Sequence, residues 1–134
     1  MSTVHTANVV IERSPAEVFA YVSRAENQPA WAVNFVRSTR PIGGGRYVME
    51  TPFGEMTYRV EANSAAGTVD FVFETTAGES VLPARAAPHR QGTLFMFSIE
   101  RQHGMPDDAW DAGKRGLDEE LEALRAILEG GASD

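Results

Sequence analysis

Residues Arg13–Trp31 read RSPAEVFAYVSRAENQPAW, and this stretch decides how the rest of the chain is read. Ser14 and Glu17 stand at capping-box spacing, in which the serine hydroxyl takes the amide of the third helical residue and the glutamate returns to the serine amide. Pro15 falls at the first helical position, where its missing N–H sacrifices no hydrogen bond. Val18, Phe19 and Val22 supply an apolar stripe for a helix that ends near Ser23 or Arg24. The pattern then restarts. Glu26-Asn27 can cap a second short helix with Pro29 in its first turn, and Trp31 lies near its exit. Two short helices in succession form a V-shaped insertion.

On the N-terminal side, Val4–Glu12 (VHTANVVIE) alternates and is rich in β-branched residues. It predicts a strand with His5, Ala7, Val9 and Ile11 on one face. On the C-terminal side, turn chemistry recurs at Gly43–Gly45, Pro52–Gly54, Asn63–Gly67, Ala77-Gly78 and His89–Gly92. Between these turns lie six strand-like runs: FVRSTRPI, RYVMET, EMTYRVEA, TVDFVFET, ESVLPARAA and TLFMFSIERQ. Met56, Tyr58 and Val60 alternate with Glu55, Thr57 and Arg59, as expected of half-buried antiparallel strands in a meander. Pro106–Glu129 then predicts one helix about 36 Å long, with Asp107 and Asp108 favouring its N-terminal dipole. Trp110, Leu117, Leu121, Leu124 and Leu128 form its apolar stripe. The acidic run Asp118–Glu122 is read as its wet face, Gly130-Gly131 as its end, and the last residues as frayed.

The expected order is strand, two short helices, six strands, long helix. This is an α+β chain whose seven-stranded antiparallel sheet must cover its apolar face, and the last helix has the length and the stripe to do so. No composition shift, repeat or low-complexity block interrupts residues 1–134, so a single domain is expected.

Composition narrows the function classes. The formal net charge of -7 leaves no basic stripe for phosphates, which argues against nucleic acid and anionic membrane surfaces as partners. With 0 cysteines, disulfides, thiol nucleophiles and thiolate metal sites are excluded, and a cytoplasmic location is expected. Neither a signal peptide nor an apolar run long enough to insert in a membrane is visible.

The order of elements resembles the START-like, helix-grip superfamily, also called SRPBCC or polyketide cyclase/dehydrase-like. VVIERSPAEVFAYVSRAENQPAW, TPFGEMTYRV, HRQGTLFMFSIE and the amphipathic C-terminal helix carry the resemblance, which spans nearly the whole chain. It implies a curved sheet gripping the long helix around a cavity, with the two short helices closing one end. Members include lipid carriers, hormone receptors, aromatase/cyclases and co-chaperones.

The sequence calls for no cofactor and no metal. His5, His89 and His103 are not spaced as ligands. His89 and His103 read as turn residues, and His5 as a satisfied sheet-edge histidine or, alternatively, a pocket residue. Gly43–Gly45 precedes Arg46-Tyr47 rather than Lys-Ser or Lys-Thr, so it reads as a hairpin turn and not a phosphate loop. Glu50, Glu55, Glu61, Asp70 and Glu74 share the polar parity of the strands and read as a solvated sheet face.

Strand parity and helix spacing point inward at Trp31, Tyr47, Met49, Met56, Tyr58, Phe71, Phe73, Ala84, Phe95, Phe97, Trp110 and Gly113. These residues are the candidate wall for a small hydrophobic or aromatic molecule, although such residues also build plain cores. Leu82, Ala84 and Ala86 suggest spare volume on one strand. Gly113, inside the last helix, either leaves room for a ligand or lets a strand approach. Binding of a small apolar molecule is therefore the leading expectation. A cyclase/dehydratase-like enzyme using Tyr47 or Tyr58 as a weak acid is the alternative, and a co-chaperone-like interaction protein a second one. Leu94 and Met96 on the opposite parity, expected near Val72 and Val48, suggest a homodimer through the outer sheet face.

Overall fold

The computed structural model describes residues 3–130. Seven antiparallel strands form one sheet: β1 (Val4–Ile11), β2 (Ser38–Gly43), β3 (Arg46–Thr51), β4 (Gly54–Asn63), β5 (Thr68–Thr75), β6 (Gly78–His89) and β7 (Gly92–Glu100). Their order across the sheet is β1-β7-β6-β5-β4-β3-β2. Strands β2 to β7 therefore form a meander of hairpins, and β1 closes it by pairing with β7. Three α-helices accompany the sheet among the described residues: α1 (Pro15–Val22), α2 (Gln28–Trp31) and α3 (Asp107–Gly130). The expected fraying after Gly130 concerns residues outside those described.

The capping box at α1 is formed in both directions: Ser14 Oγ accepts the Glu17 amide at 3.2 Å, and Glu17 Oε1 accepts the Ser14 amide at 3.3 Å. Ser14→Ala is expected to cost about 1 kcal/mol of stability, the usual value of such a cap, measurable as a shift in urea midpoint. A loss under a few tenths would mean that packing alone holds α1. Val18 and Val22 are buried on the face that α1 turns to β5, β6 and β7.

The second half of the insertion differs from the sequence expectation. A 3-10 turn, Ala25–Asn27, precedes α2, and Asn27 makes no side-chain cap. Its amide instead donates to Tyr21 O at 3.0 Å, tying the turn back to the end of α1. Residues 35–37, expected to begin β2, lie outside the strand. Arg37 N still reaches Glu50 O at 2.8 Å, but Val36 N donates back to Ala32 O at 2.8 Å, and the amides of Asn34 and Phe35 go to Glu120 of α3 rather than to the sheet.

Gly92, at the β6–β7 turn, has φ +135°, and a Cβ there would lie 2.5 Å from Ile11 O and 2.8 Å from Arg13 O. Only glycine allows this turn to press on the β1–α1 junction. Thr93 Oγ1 adds a 2.8 Å bond to Arg13 O at the same place.

α3 lies along β1 and touches α2, burying Trp110, Leu117, Glu120, Leu121 and Leu124. Glu120 corrects the reading of Asp118–Glu122 as uniformly wet. It sits between Leu117 and Leu124 on the buried stripe, at spacings of three and four residues.

The outer sheet face carries the expected carboxylates. Arg46 pairs with Glu74 at 2.8 Å, and Arg59 with Glu61 at 2.7 Å and Glu79 at 2.6 Å. The apolar patch on this face is smaller than expected. Val72 lies two strands from β7 and is buried, and Val48 lies four strands away. The register neighbours of half-buried Leu94 are Val10 and Ala87, and those of half-buried Met96 are Asn8 and Arg85.

Candidate ligand site

Most of the expected wall converges on one apolar cluster. Trp31, Met49, Tyr58, Phe71, Phe73, Ala84, Phe95 and Phe97 are buried in it, and Tyr47 and Met56 pack against it partly buried. The strand register explains how. Tyr47 opposes Tyr58 on β3–β4, and Tyr58 opposes Phe73 on β4–β5, so three rings share one face of three strands. Their centroids are 5.9 Å apart for Tyr47–Tyr58 and 5.3 Å for Tyr58–Phe73.

A second series crosses the other half of the sheet. Phe97 opposes Ala84, yet its ring stacks on Phe71 of β5 at 5.5 Å. The small Ala84 side chain lets rings from β5 and β7 meet across β6. The volume that small residues leave on this strand is thus taken by phenyl groups at that point. Trp31 stands edge-on to Phe95 and Phe97, at 6.3 Å and 6.1 Å. Such ring pairs are worth roughly 0.5–1.5 kcal/mol beyond their buried area.

At one end of the cluster lies an open cleft of about 390 Å³, between the turn Ser23–Glu26 and Gly45, Tyr47 and Val60 of the sheet; Tyr47 both lines it and packs against the cluster. Tyr47 OH donates to Glu26 Oε2 at 3.1 Å at the rim. Behind it, Tyr58 OH donates to the buried Gln28 Oε1 at 2.6 Å. Burial pushes both phenols above their ordinary pKa, Tyr58 strongly; for Tyr47 the bond to Glu26 adds to the rise, while Arg24 opposes it.

Trp110 and Gly113 stand apart from this assembly. Trp110 is buried, but it belongs to a different cleft of about 400 Å³, lined by Val4, His5, Arg101, Asp107, Asp111 and Lys114. Lys114 Nζ lies 5.5 Å from the centre of its ring. His5 Nε2 is 3.3 Å from Asp118 Oδ1, which makes it a partnered residue of the edge strand. Gly113 is exposed, and a Cβ there would meet nothing within 4 Å, so no strand approaches it. Gly113→Leu is therefore expected to raise stability by about 0.5–1 kcal/mol through helix propensity. Thermal melting checks that, and a parallel ligand titration shows whether a bound molecule reaches α3 here: unchanged affinity with raised stability places it elsewhere.

The buried polar groups were mostly invisible in the sequence. Gln28 belongs to a segment read only for its cap, its proline and Trp31. Glu120 had a signal, an acid in register with a leucine stripe. Its Oε2 accepts the amides of Asn34 at 2.8 Å and Phe35 at 3.1 Å, and Asn34 Nδ2 returns to Gly116 O at 3.1 Å. Burial raises the Glu120 pKa to about 7, against the downward pull of those two amides and with a further push from Glu119. The loop from α2 to β2 is thereby clasped to α3. Among the described residues, Trp31 Nε1 is the one buried side-chain nitrogen or oxygen with no hydrogen-bond partner. An orphaned donor of this kind costs about 1–3 kcal/mol. No group of histidines and carboxylates among the described residues is placed to hold a metal ion.

The sequence model of the family described as polyketide cyclase / dehydrase and lipid transport matches residues 2–129. The chain belongs to this family. Its fold is shared with solved structures of low sequence identity. The Aha1 dimer from Colwellia psychrerythraea superposes with a TM-score of 0.74 at 14% identity, covering 97% of this chain and 98% of that one. The protein MLL2253 from Mesorhizobium loti gives 0.72 at 16% identity, with 98% of each chain covered. XoxI from Bacillus cereus gives 0.70 at 14% identity, covering 94% and 95%. No match is found among curated proteins. The helix-grip architecture expected from Arg13–Trp31 is thus shared with these structures, while identities this low concern the fold alone. Among the described residues no helix is long and apolar enough to cross a membrane.

Proposed function

We propose that this family member binds a small apolar or aromatic molecule between the sheet and α3, entering beside Tyr47. The observation that carries this reading is the run of three rings, Tyr47, Tyr58 and Phe73, leading from the open cleft into the apolar cluster. Aromatic faces with few polar groups suit a planar apolar ligand. The polar groups at the entrance, Tyr47 with Glu26 and Tyr58 with Gln28, fix its orientation rather than its affinity.

The test is native mass spectrometry of protein purified without detergent, followed by titration of the stripped protein with an uncharged naphthalene probe. A bound mass released on denaturation, or saturable one-to-one binding of the probe, is expected. Tyr47→Ala then weakens binding by a few-fold to about tenfold, the value of one aromatic contact. The absence of both a released mass and saturable binding would overturn the proposal.

An enzymatic reading draws on one observation, the phenol–carboxylate pair of Tyr47 and Glu26 in the cleft. A cyclase or dehydratase of this design would use Tyr47 as a weak acid towards a carbonyl oxygen. Its raised pKa makes it a poorer acid than an ordinary tyrosine, so binding is the function the geometry favours. Half-buried Leu94 and Met96, with Val10 and Ala87 beside Leu94, are proposed as the centre of a homodimer contact on the outer face, to be read by light scattering. A cysteine-free chain suits work in the cytoplasm.

A further inference from the structure

We infer that the molecule held inside presents a hydrogen-bond acceptor, a carbonyl, ester or ether oxygen, to the indole N–H of Trp31. The inference rests on the interior-ligand reading above and specifies the chemistry of that ligand.

This fold partners its buried polar side chains. Gln28 is met by Tyr58, Thr51 Oγ1 by Gly54 O, Thr93 by Arg13 O, and Glu120 by two backbone amides. Among the described residues Trp31 Nε1 is the exception, although the residue is only 1% exposed. The rings around it, Phe95 and Phe97, carry no oxygen or nitrogen in their side chains. They meet the indole at interplanar angles of 87° and 67°, and an N–H directed at a ring face is a weaker contact than one to oxygen. A phenylalanine at this position would supply an aromatic edge without stranding a donor.

The position is also suited to contact a guest. α2 is a single turn, joined to the cleft-forming residues Ser23–Glu26 on one side and to the loop clasped by Glu120 on the other. The indole packs between the insertion and the Phe95 and Phe97 rings of β7, behind the residues that line the cleft and not among them. A guest whose polar atom is itself a donor, an alcohol or amine, would find no acceptor on the phenyl wall and would carry an unpaired proton inside. An acceptor-only oxygen leaves neither partner unsatisfied.

The test uses two probes of one shape, 2-acetylnaphthalene and 2-isopropylnaphthalene, against wild type and Trp31→Phe. The ketone's affinity relative to the hydrocarbon is expected to be about tenfold higher in wild type than in the variant, as for one hydrogen bond made in an apolar interior. Retained hydrocarbon binding by Trp31→Phe shows that the variant is folded. In wild type, the Trp31 indole N–H resonance, distinguished from that of Trp110 by a Trp110→Phe variant, is expected to move downfield with the ketone and not with the hydrocarbon. That measurement decides the matter even if Trp31→Phe fails to fold. Equal probe ratios in both proteins, or an N–H resonance indifferent to the ketone, would overturn this inference and leave interior binding standing. Failure of both probes to bind wild type overturns the interior-ligand reading, and this inference with it.

Discussion

Phe95→Ala is expected to lower the unfolding free energy by about 3–5 kcal/mol, the usual cost of deleting a fully buried phenyl group. Phe95 is 0% exposed. On β7 it pairs in register with Val9 of β1 and Ala86 of β6, and its ring meets the edge of Trp31. The alanine already at position 86 has no bulk with which to close the gap, so the void persists. A domain of this size has about 5–15 kcal/mol in total, and the variant therefore sits near its unfolding threshold. The control is Leu94→Ala, one residue away on the outer face, where a half-buried side chain is lost to solvent and not from a closed core. Urea unfolding of both variants reads the difference. A Phe95→Ala loss no larger than that of Leu94→Ala would mean that the interior collapses around the missing ring and is not close-packed.

The second large effect is a dependence on pH. Burial raises the folded-state pKa of Glu120 to about 7, from an ordinary value of 4.5. Between these values the unfolded chain releases its proton and the folded chain retains it, so the folded state binds more protons and stability falls as pH rises. The contribution is fully present below the unfolded value and lost by the time pH passes the folded one. At about 1.4 kcal/mol per unit, wild type is expected to lose roughly 2–3 kcal/mol between pH 4.5 and 7.5 relative to Glu120→Gln. The glutamine keeps an oxygen for the amides of Asn34 and Phe35 and has no charge to bury. Paired unfolding curves at pH 5 and pH 8 test this. A difference that stays constant, or that moves in favour of wild type at high pH, would show that the two amides hold the carboxylate ionised throughout. Glu74 and Glu79, lowered by their arginine partners, act at the acid end and with the opposite sign, and they are common to both proteins.

How much was legible beforehand follows from the range of each interaction. The capping box at Ser14, the strand faces and the stripe of α3 repeat at the periods of local backbone geometry, so the element order and its helix-grip closure could be read from residues a few positions apart. The inward parity of Tyr58, Phe71 and Phe95 followed in the same way, because a strand that covers a core has only two faces. What the sequence by itself determined is therefore which elements form and which side of each is apolar.

The tertiary structure decided where distant elements meet. The meander of hairpins already puts Val72 two strands and Val48 four strands from Leu94; what no local pattern encodes is the pairing of β1 with β7, which sets Val10 beside Leu94. Trp110 and Gly113 share a helix with Leu117, but α3 runs along β1, and those two positions fall outside the aromatic interior. Glu120 is a surface-type residue by composition. It is buried because two amides in the α2–β2 loop, 85 and 86 residues away, need an acceptor. The unpartnered indole of Trp31 has the same origin. A hydrogen bond is present or missing only once both chain segments are in place, and burial of that donor is settled by β7 and the insertion together.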